Sequence, residues 1–236
     1  MTPIGRNAAI LLDLDGTLTD PREGIVGCLK HALRSVGASS PSEDVLESYI
    51  GPPLHQTLSQ LLGTTHSSHL NNAVDFYRER FAAKGMFENR VYPGIVEALK
   101  ELQRLGVRLF VATSKPQPFT EQILDHFRLR SLFHGVYGSA LDGRLSNKGE
   151  LISHIMREEG LAPLETAMVG DRAQDIDGAR ANDVFAIGVL WGYGSREELL
   201  SAGAEALCEQ PRGLAETVSF NYPFNPARAE KPARAG

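Results

Sequence analysis

Near its amino end the chain reads AILLDLDGT, Ala9 to Thr17. An apolar run that ends in carboxylates on alternate positions can be housed in few ways. Residues i and i+2 of a strand point to the same face, so Asp13 and Asp15 are predicted to stand side by side just past Leu12. Two neighbouring buried anions repel each other, and an unpaired one is costly away from water. The chain must therefore bring positive charge to this strand end, and a divalent cation is the simplest supply.

Further apolar or β-branched runs follow at 107–112, 135–138, 166–169, 185–189 and 204–207, and with 8–12 they read as strands. Between them lie helical patterns, IVEALKELQRLG, PFTEQILDHFRL, NKGELISHIMREEG and DIDGARAND. Glycine-terminated helices followed by short apolar runs mark repeated αβ units. Such units build a largely parallel sheet with helices on both faces, and ligands bind beyond the carboxyl ends of its strands. The stretch 21–89 breaks this pattern: IVGCLKHALRSVG, LHQTLSQLLG and LNNAVDFYRERFAAKG carry helical periodicity, and no strand is evident. The expected architecture is α/β, a Rossmann-like parallel-sheet core at 1–20 and 90–220 with an inserted all-helical cap domain at 21–89. The closing stretch NYPFNPARAEKPARAG lacks periodicity and is rich in Pro, Ala and charge, so a disordered tail is expected at 221–236.

Composition narrows the partners. A net charge of -5 and a pI near 5.8 provide no positive field for nucleic acid or an anionic membrane surface. Only Cys28 and Cys208 occur, without metal-ligand spacing, which suits a reducing compartment. Asp13 interrupts the first apolar run too early for a signal peptide, and nothing approaches a membrane span. A cytoplasmic protein is expected, as a monomer or a homodimer.

Four strand ends carry polar residues. They are Asp13-Leu14-Asp15-Gly16-Thr17, the FVATSKP run with Thr113, Ser114 and Lys115, Lys148 at a helix start after GSALDGRLSN, and MVGDRAQDIDG with Asp171 and Asp175. A parallel sheet brings all four to one edge. Several carboxylates without His or Cys suit Mg²⁺ better than zinc. Lys148 then faces a negative group that fits phosphate. Plainer readings exist for each. Strand-end aspartates cap helices, Thr113 can cap the helix that follows it, Lys148 can be a solvated helix-start lysine, and Asp175 can serve structure alone.

Together DLDGT, the hydroxyl after an apolar strand, the downstream lysine and GDxxxD resemble the haloacid dehalogenase-like hydrolase superfamily. The inserted helices resemble its helical-cap subgroup, and VYPGIVEALKELQRLG, TSKP and GSALDGRLSNKGELI resemble the phosphoglycolate phosphatase-like branch. The resemblance implies that Asp13 attacks phosphorus to form an aspartyl-phosphate. It implies that Asp15 protonates the leaving oxygen and later takes a proton from water. Thr113 and Lys148 would hold the phosphoryl oxygens. Mg²⁺ would be bound by Asp13, the backbone carbonyl of Asp15 and Asp171, with Asp175 a further ligand or a partner behind it.

The same resemblance separates chemistries. Dehalogenases of the superfamily lack the second aspartate of DxD, and Asp15 is present. Phosphonoacetaldehyde hydrolases need a cap lysine, and none lies between Lys30 and Lys84; phosphomutases place basic residues in the cap loop, and 45–60 holds no Arg or Lys. Hydrolysis of a small phosphate monoester is left, with 2-phosphoglycolate first and a nucleoside 5′-monophosphate or aryl phosphate as the alternative, where Tyr49 would stack. Ser114, Lys115, Arg22 and Gly51, in the loop Tyr49-Ile50-Gly51-Pro52-Pro53, are the candidate substrate contacts. A non-catalytic binding module would be expected to lack Asp13, Asp15 or Lys148, and this chain lacks none of them.

Overall fold

The computed structural model describes Ile4 and residues 7–224. The apolar run after Asn7 forms β1 (Ala9–Leu12), all four residues fully buried. A strand covered on both faces belongs inside a parallel sheet. β1 lies between β4 (Arg108–Pro116) and β6 (Thr166–Gly170). With β5 (Gly135–Ser139), β7 (Phe185–Val189) and β8 (Ala206–Cys208) they form a six-stranded parallel sheet, ordered β5-β4-β1-β6-β7-β8. Register fixes what meets at its edge. Leu12 stands opposite Val111 on one side and Val169 on the other, so Asp13, Ala112 and Gly170 come level.

Alternation sorts the core into two layers. Ile10, Leu12, Val111 and Val169 turn to one face, with α5 (Ile95–Arg104), α6 (Gln117–His126) and α10 (Leu214–Asn221). Ala9, Leu11, Phe110 and Met168 turn to the other, with α7 (Lys148–Glu159), α8 (Ala173–Ala181) and α9 (Arg196–Ala202). Helix α5 illustrates why these segments are helical: Ile95, Ala98, Leu99 and Leu102 are buried at i, i+3, i+4 and i+7. Asp13 continues the alternation of Ala9 and Leu11, which places it on the α7 side.

Between β1 and β4 the chain leaves the sheet through β2 (Thr19–Asp20) and returns through β3 (Arg90–Val91), and the two pair antiparallel. Between them lie α1 (Arg22–Ser35), α2 (Glu43–Glu47), α3 (Leu54–Leu62) and α4 (Ser67–Arg80), then a π-helical turn at Phe81–Gly85. Each strand of this ribbon has two residues, too few to show any periodicity in the sequence.

Strand β4 runs to Pro116, further than its apolar run, with a register irregularity against β5 beyond Ala112. Of the tail expected at 221–236, the first residues are packed: Asn221 closes α10, and Phe224 is buried and stacked on Phe185. Two aromatic side chains outweigh the prolines around them. Residues 225–236 lie outside the described residues. Among the described residues no helix is long and apolar enough to cross a membrane.

Candidate active site

Asp13 sits one residue past β1, 6 % exposed, its N–H donating to the Val169 carbonyl at 3.0 Å. Lys148, the first residue of α7, reaches it from the next layer. Its Nζ lies 2.9 Å from Asp13 Oδ1, 2.8 Å from the Ala112 carbonyl and 2.8 Å from Asp175 Oδ1. All three ammonium hydrogens therefore have acceptors. Burial pushes the Lys148 ammonium toward losing its proton, but the Asp13 and Asp175 carboxylates reverse this and hold its pKa above the ordinary value.

Asp15 follows a different course from the one its spacing predicts. The strand ends at Leu12, and Gly16 takes φ +85° in the turn that follows. Asp15 pairs not with Lys148 but with Lys115, Nζ to Oδ2 at 2.7 Å, both side chains largely buried. Each aspartate of the DxD thus has its own lysine. Burial raises the Asp15 pKa against the pull of Lys115, with the Asp13 charge adding to the rise. Its Oδ1 is buried without a hydrogen-bond partner.

Asp171, immediately after β6, is fully buried. It accepts from the Thr17 hydroxyl at 3.3 Å and from the Tyr193 N–H at 2.9 Å. A β-carbon at Gly16 would lie 2.2 Å from Asp171 Oδ2, so both the backbone angle and the contact require glycine. Asp13, Asp171 and Asp175 each place a carboxylate oxygen within 4.8 Å of the others. Burial first, then Asp175 and Asp13, push the Asp171 pKa well up; burial also raises Asp175, although Lys148 opposes it. Three carboxylates against one ammonium leave two surplus negative charges in a dry site. An all-oxygen donor set with that surplus fits a hard divalent cation.

Asp13 and Asp15 line a cavity of about 150 Å³ beneath the inserted helices. Thr113, Ser114 and Lys115 line it from β4, and Gly51 lines it from the loop before α3. Thr113 Oγ1 accepts from the Lys115 N–H at 3.3 Å, and Ser114 Oγ donates to the Ser146 carbonyl at 2.9 Å. The rest of the lining is largely aromatic and aliphatic, including Tyr49, Leu54, Tyr77, Phe81 and Phe119. Arg22 is not brought here. Its half-exposed guanidinium pairs with Glu47 at 2.7 Å, because the first turn of α1 faces α2 rather than the sheet edge.

Three residues passed over in the sequence also belong to this region. Arg172 donates to the carbonyls of Ser48 (3.3 Å) and Ile50 in the inserted helices and pairs with Glu198 at 2.9 Å. A β-carbon on Gly51, at φ +115°, would lie 2.8 Å from Arg172 Cγ. Tyr193 holds Asp171 through its N–H and Asp20 through its hydroxyl at 2.6 Å. The aromatic-glycine run WGYG after β7 was its available signal. Arg78, on α4, had none, since only the fold brings that helix face over the cavity.

Comparison with known proteins agrees with this geometry. A family model described as haloacid dehalogenase-like hydrolase matches residues 10–189. The chain belongs to that family, and it is a phosphatase. A 5′-nucleotidase of Pseudomonas aeruginosa is 48% identical over 209 residues, 89% of this chain and 94% of that one. Tyrosine-protein kinase PtkA of Mycobacterium tuberculosis is 39% identical over 78% of this chain and 62% of its own length. The crystal structure of a predicted phosphatase from Clostridium acetobutylicum superposes with a TM-score of 0.87 at 39% identity, covering 92% of this chain and 100% of that one. Phosphoglycolate phosphatases are more distant, that of Pseudomonas syringae being 26% identical over 78% of this chain and 70% of its own.

Proposed function

We propose that this chain is a Mg²⁺-dependent hydrolase of nucleoside 5′-monophosphates. The observation that carries the reading is the aromatic lining of the cavity that Asp13 and Asp15 share. Tyr49, Tyr77, Phe81 and Phe119 offer flat apolar surface suited to a planar leaving group. The 48% identity to a 5′-nucleotidase supports it. The second reading is 2-phosphoglycolate, favoured by the two cations Lys115 and Arg78 in the same cavity, since its carboxylate needs such a partner.

In the first half-reaction Asp13 attacks phosphorus through Oδ2 while Lys148 holds Oδ1. A bond forms from that oxygen to phosphorus as the ester oxygen leaves, and Asp15 delivers its proton to the leaving oxygen. Burial favours the protonated form that Asp15 needs for this step. In the second half, water attacks the aspartyl-phosphate and Asp15 takes its proton, releasing inorganic phosphate. The Thr113 hydroxyl, which accepts from Lys115 N–H, keeps its own hydrogen for a phosphoryl oxygen.

Asp13, Asp171 and the backbone carbonyl of Asp15 would hold Mg²⁺, which when bound supplies positive charge to the phosphoryl oxygens. Both Asp175 oxygens are engaged, one by Lys148 and one by the Arg172 N–H at 3.1 Å. Asp175 therefore acts through Lys148. The inserted helices form a cap that closes over the cavity about the β2–β3 ribbon, with Arg172 as the latch. Cys28 and Cys208, both free and buried, suit a cytoplasmic setting.

The test is phosphate release from nucleoside 5′-monophosphates, 2-phosphoglycolate, sugar phosphates and phenyl phosphate, with Mg²⁺ and with excess chelator. Release from the nucleotides that chelator abolishes and Mg²⁺ restores is the expected result. Activity confined to 2-phosphoglycolate would replace the nucleotide reading with the second one.

A further inference from the structure

We infer that Lys115 is the positioning residue of proton transfer: it holds the Asp15 carboxyl in the orientation from which the leaving oxygen is protonated, and the cap seats it there through Phe81. The inference rests on the aspartyl-phosphate mechanism proposed above, whichever ester is the substrate.

The carboxylates of the site are not equally fixed. Asp171 is held by the Thr17 hydroxyl and the Tyr193 N–H, and Asp175 by Lys148 and the Arg172 N–H. Asp15 has a single tether among the described residues. Lys115 Nζ lies 2.7 Å from its Oδ2, while Oδ1 is buried without a partner. A carboxyl group bonded at one oxygen only keeps its orientation through that bond. Proton transfer needs hydrogen-bond reach and alignment, and a misplacement of about 1 Å can cost a hundredfold.

Lys115 is itself well seated. Its side chain is largely buried, its N–H donates to Thr113 Oγ1, and its carbonyl accepts from the Thr120 hydroxyl. The ammonium lies 4.3 Å from the centre of the Phe81 ring, within cation–π range. Phe81 belongs to the cap and is packed between Tyr77 and Phe119. The ammonium therefore joins a cap aromatic to the acid of the sheet edge. A lysine that bound substrate instead would have to leave Asp15 unpaired in a buried site.

The step that depends on it is the first one. Asp13 bonds to phosphorus, the ester P–O bond breaks with its electron pair going to the leaving oxygen, and that oxygen takes the Asp15 proton. A 4-nitrophenolate leaves readily as the anion, whereas a benzyl alkoxide needs the proton. The experiment measures kcat/KM, which reports this step alone, for 4-nitrophenyl, phenyl and benzyl phosphate in the wild type, Asp15→Asn, Lys115→Met and Lys115→Arg. In Lys115→Met the 4-nitrophenyl to benzyl ratio should rise roughly 10- to 100-fold, with phenyl phosphate between. Lys115→Arg, which keeps a positive charge beside Asp15 but displaces the donor, should give a smaller rise and decides the matter if Lys115→Met does not fold. A role in substrate binding or in the fold would lower the three esters together and leave the ratio unchanged. A raised ratio in Asp15→Asn with none in either Lys115 variant overturns the inference and leaves the mechanism standing. No rise in Asp15→Asn overturns both.

Discussion

At the carboxyl edge of the sheet, Asp13, Asp15, Asp171 and Asp175 are packed into one small volume with Lys115 and Lys148. Across the cavity, the inserted helices contribute Tyr49, Tyr77, Phe81 and one cation without a carboxylate partner, Arg78. The two walls are held by different forces. The edge is set by strand register and by charges that must be neutralised because water is excluded, so each of its residues depends on the others. The opposite wall is set by apolar packing, which tolerates exchange of one side chain for another of similar volume. Chemistry that needs fixed charge belongs on the first wall, and discrimination between leaving groups on the second.

The largest expected effect comes from Asp13→Asn, which keeps the shape of the edge and removes its nucleophile. Steady-state turnover of any accepted ester should fall roughly a thousandfold or more. A variant that folds normally and turns over at the wild-type rate would move the chemistry away from the edge altogether.

Lys148→Met tests how far the edge depends on neutralisation. It leaves Asp13 and Asp175 buried without their ammonium, and urea denaturation should show a loss of about 3–5 kcal/mol. Mg²⁺ should recover part of that loss by binding the native state. Arg78→Met on the other wall should cost far less, because no carboxylate is left unpaired. Equal losses from the two substitutions would erase the distinction between the walls.

The smallest effect concerns the ribbon joining them. Asp20 accepts from the Tyr193 hydroxyl at 2.6 Å and from Arg90 at 3.0 Å. Although partial burial pushes its pKa up, the bonds from Tyr193, the Arg22 N–H and Arg90 outweigh this and hold it below the usual value. A depressed carboxyl stabilises the fold above its unfolded pKa and loses that contribution as the pH falls through the folded value. Asp20→Asn should therefore cost about 1 kcal/mol near neutrality, given the partial exposure of the site. The difference from the wild type should close below about pH 4. A gap that persists at low pH would mean that shape, not charge, matters at the ribbon.

Much of the architecture was legible in advance because it is local. Apolar runs bounded by glycine-ended helices define the six strands to within a few residues, and the helical period of 21–89 sets the insertion apart. The four strand-end motifs converge because parallel strands share one carboxyl edge. The β2–β3 ribbon was not legible, since two residues carry no period, and the packing of Phe224 on Phe185 was hidden by the prolines around it.

Within the site the boundary runs between residue type and partner. The sequence alone determined that closely spaced carboxylates must meet cations, and that the motif lysine and aspartates share an edge. It did not determine which cation serves which anion. The turn at Gly16 sends Asp15 to Lys115 while Asp13 stays with Lys148, and helix packing turns Arg22 out to Glu47 and Arg78 in over the cavity. Periodicity along a chain reports which face a residue occupies. What that face opposes depends on contacts between segments far apart in sequence, and those exist only once the tertiary structure has formed.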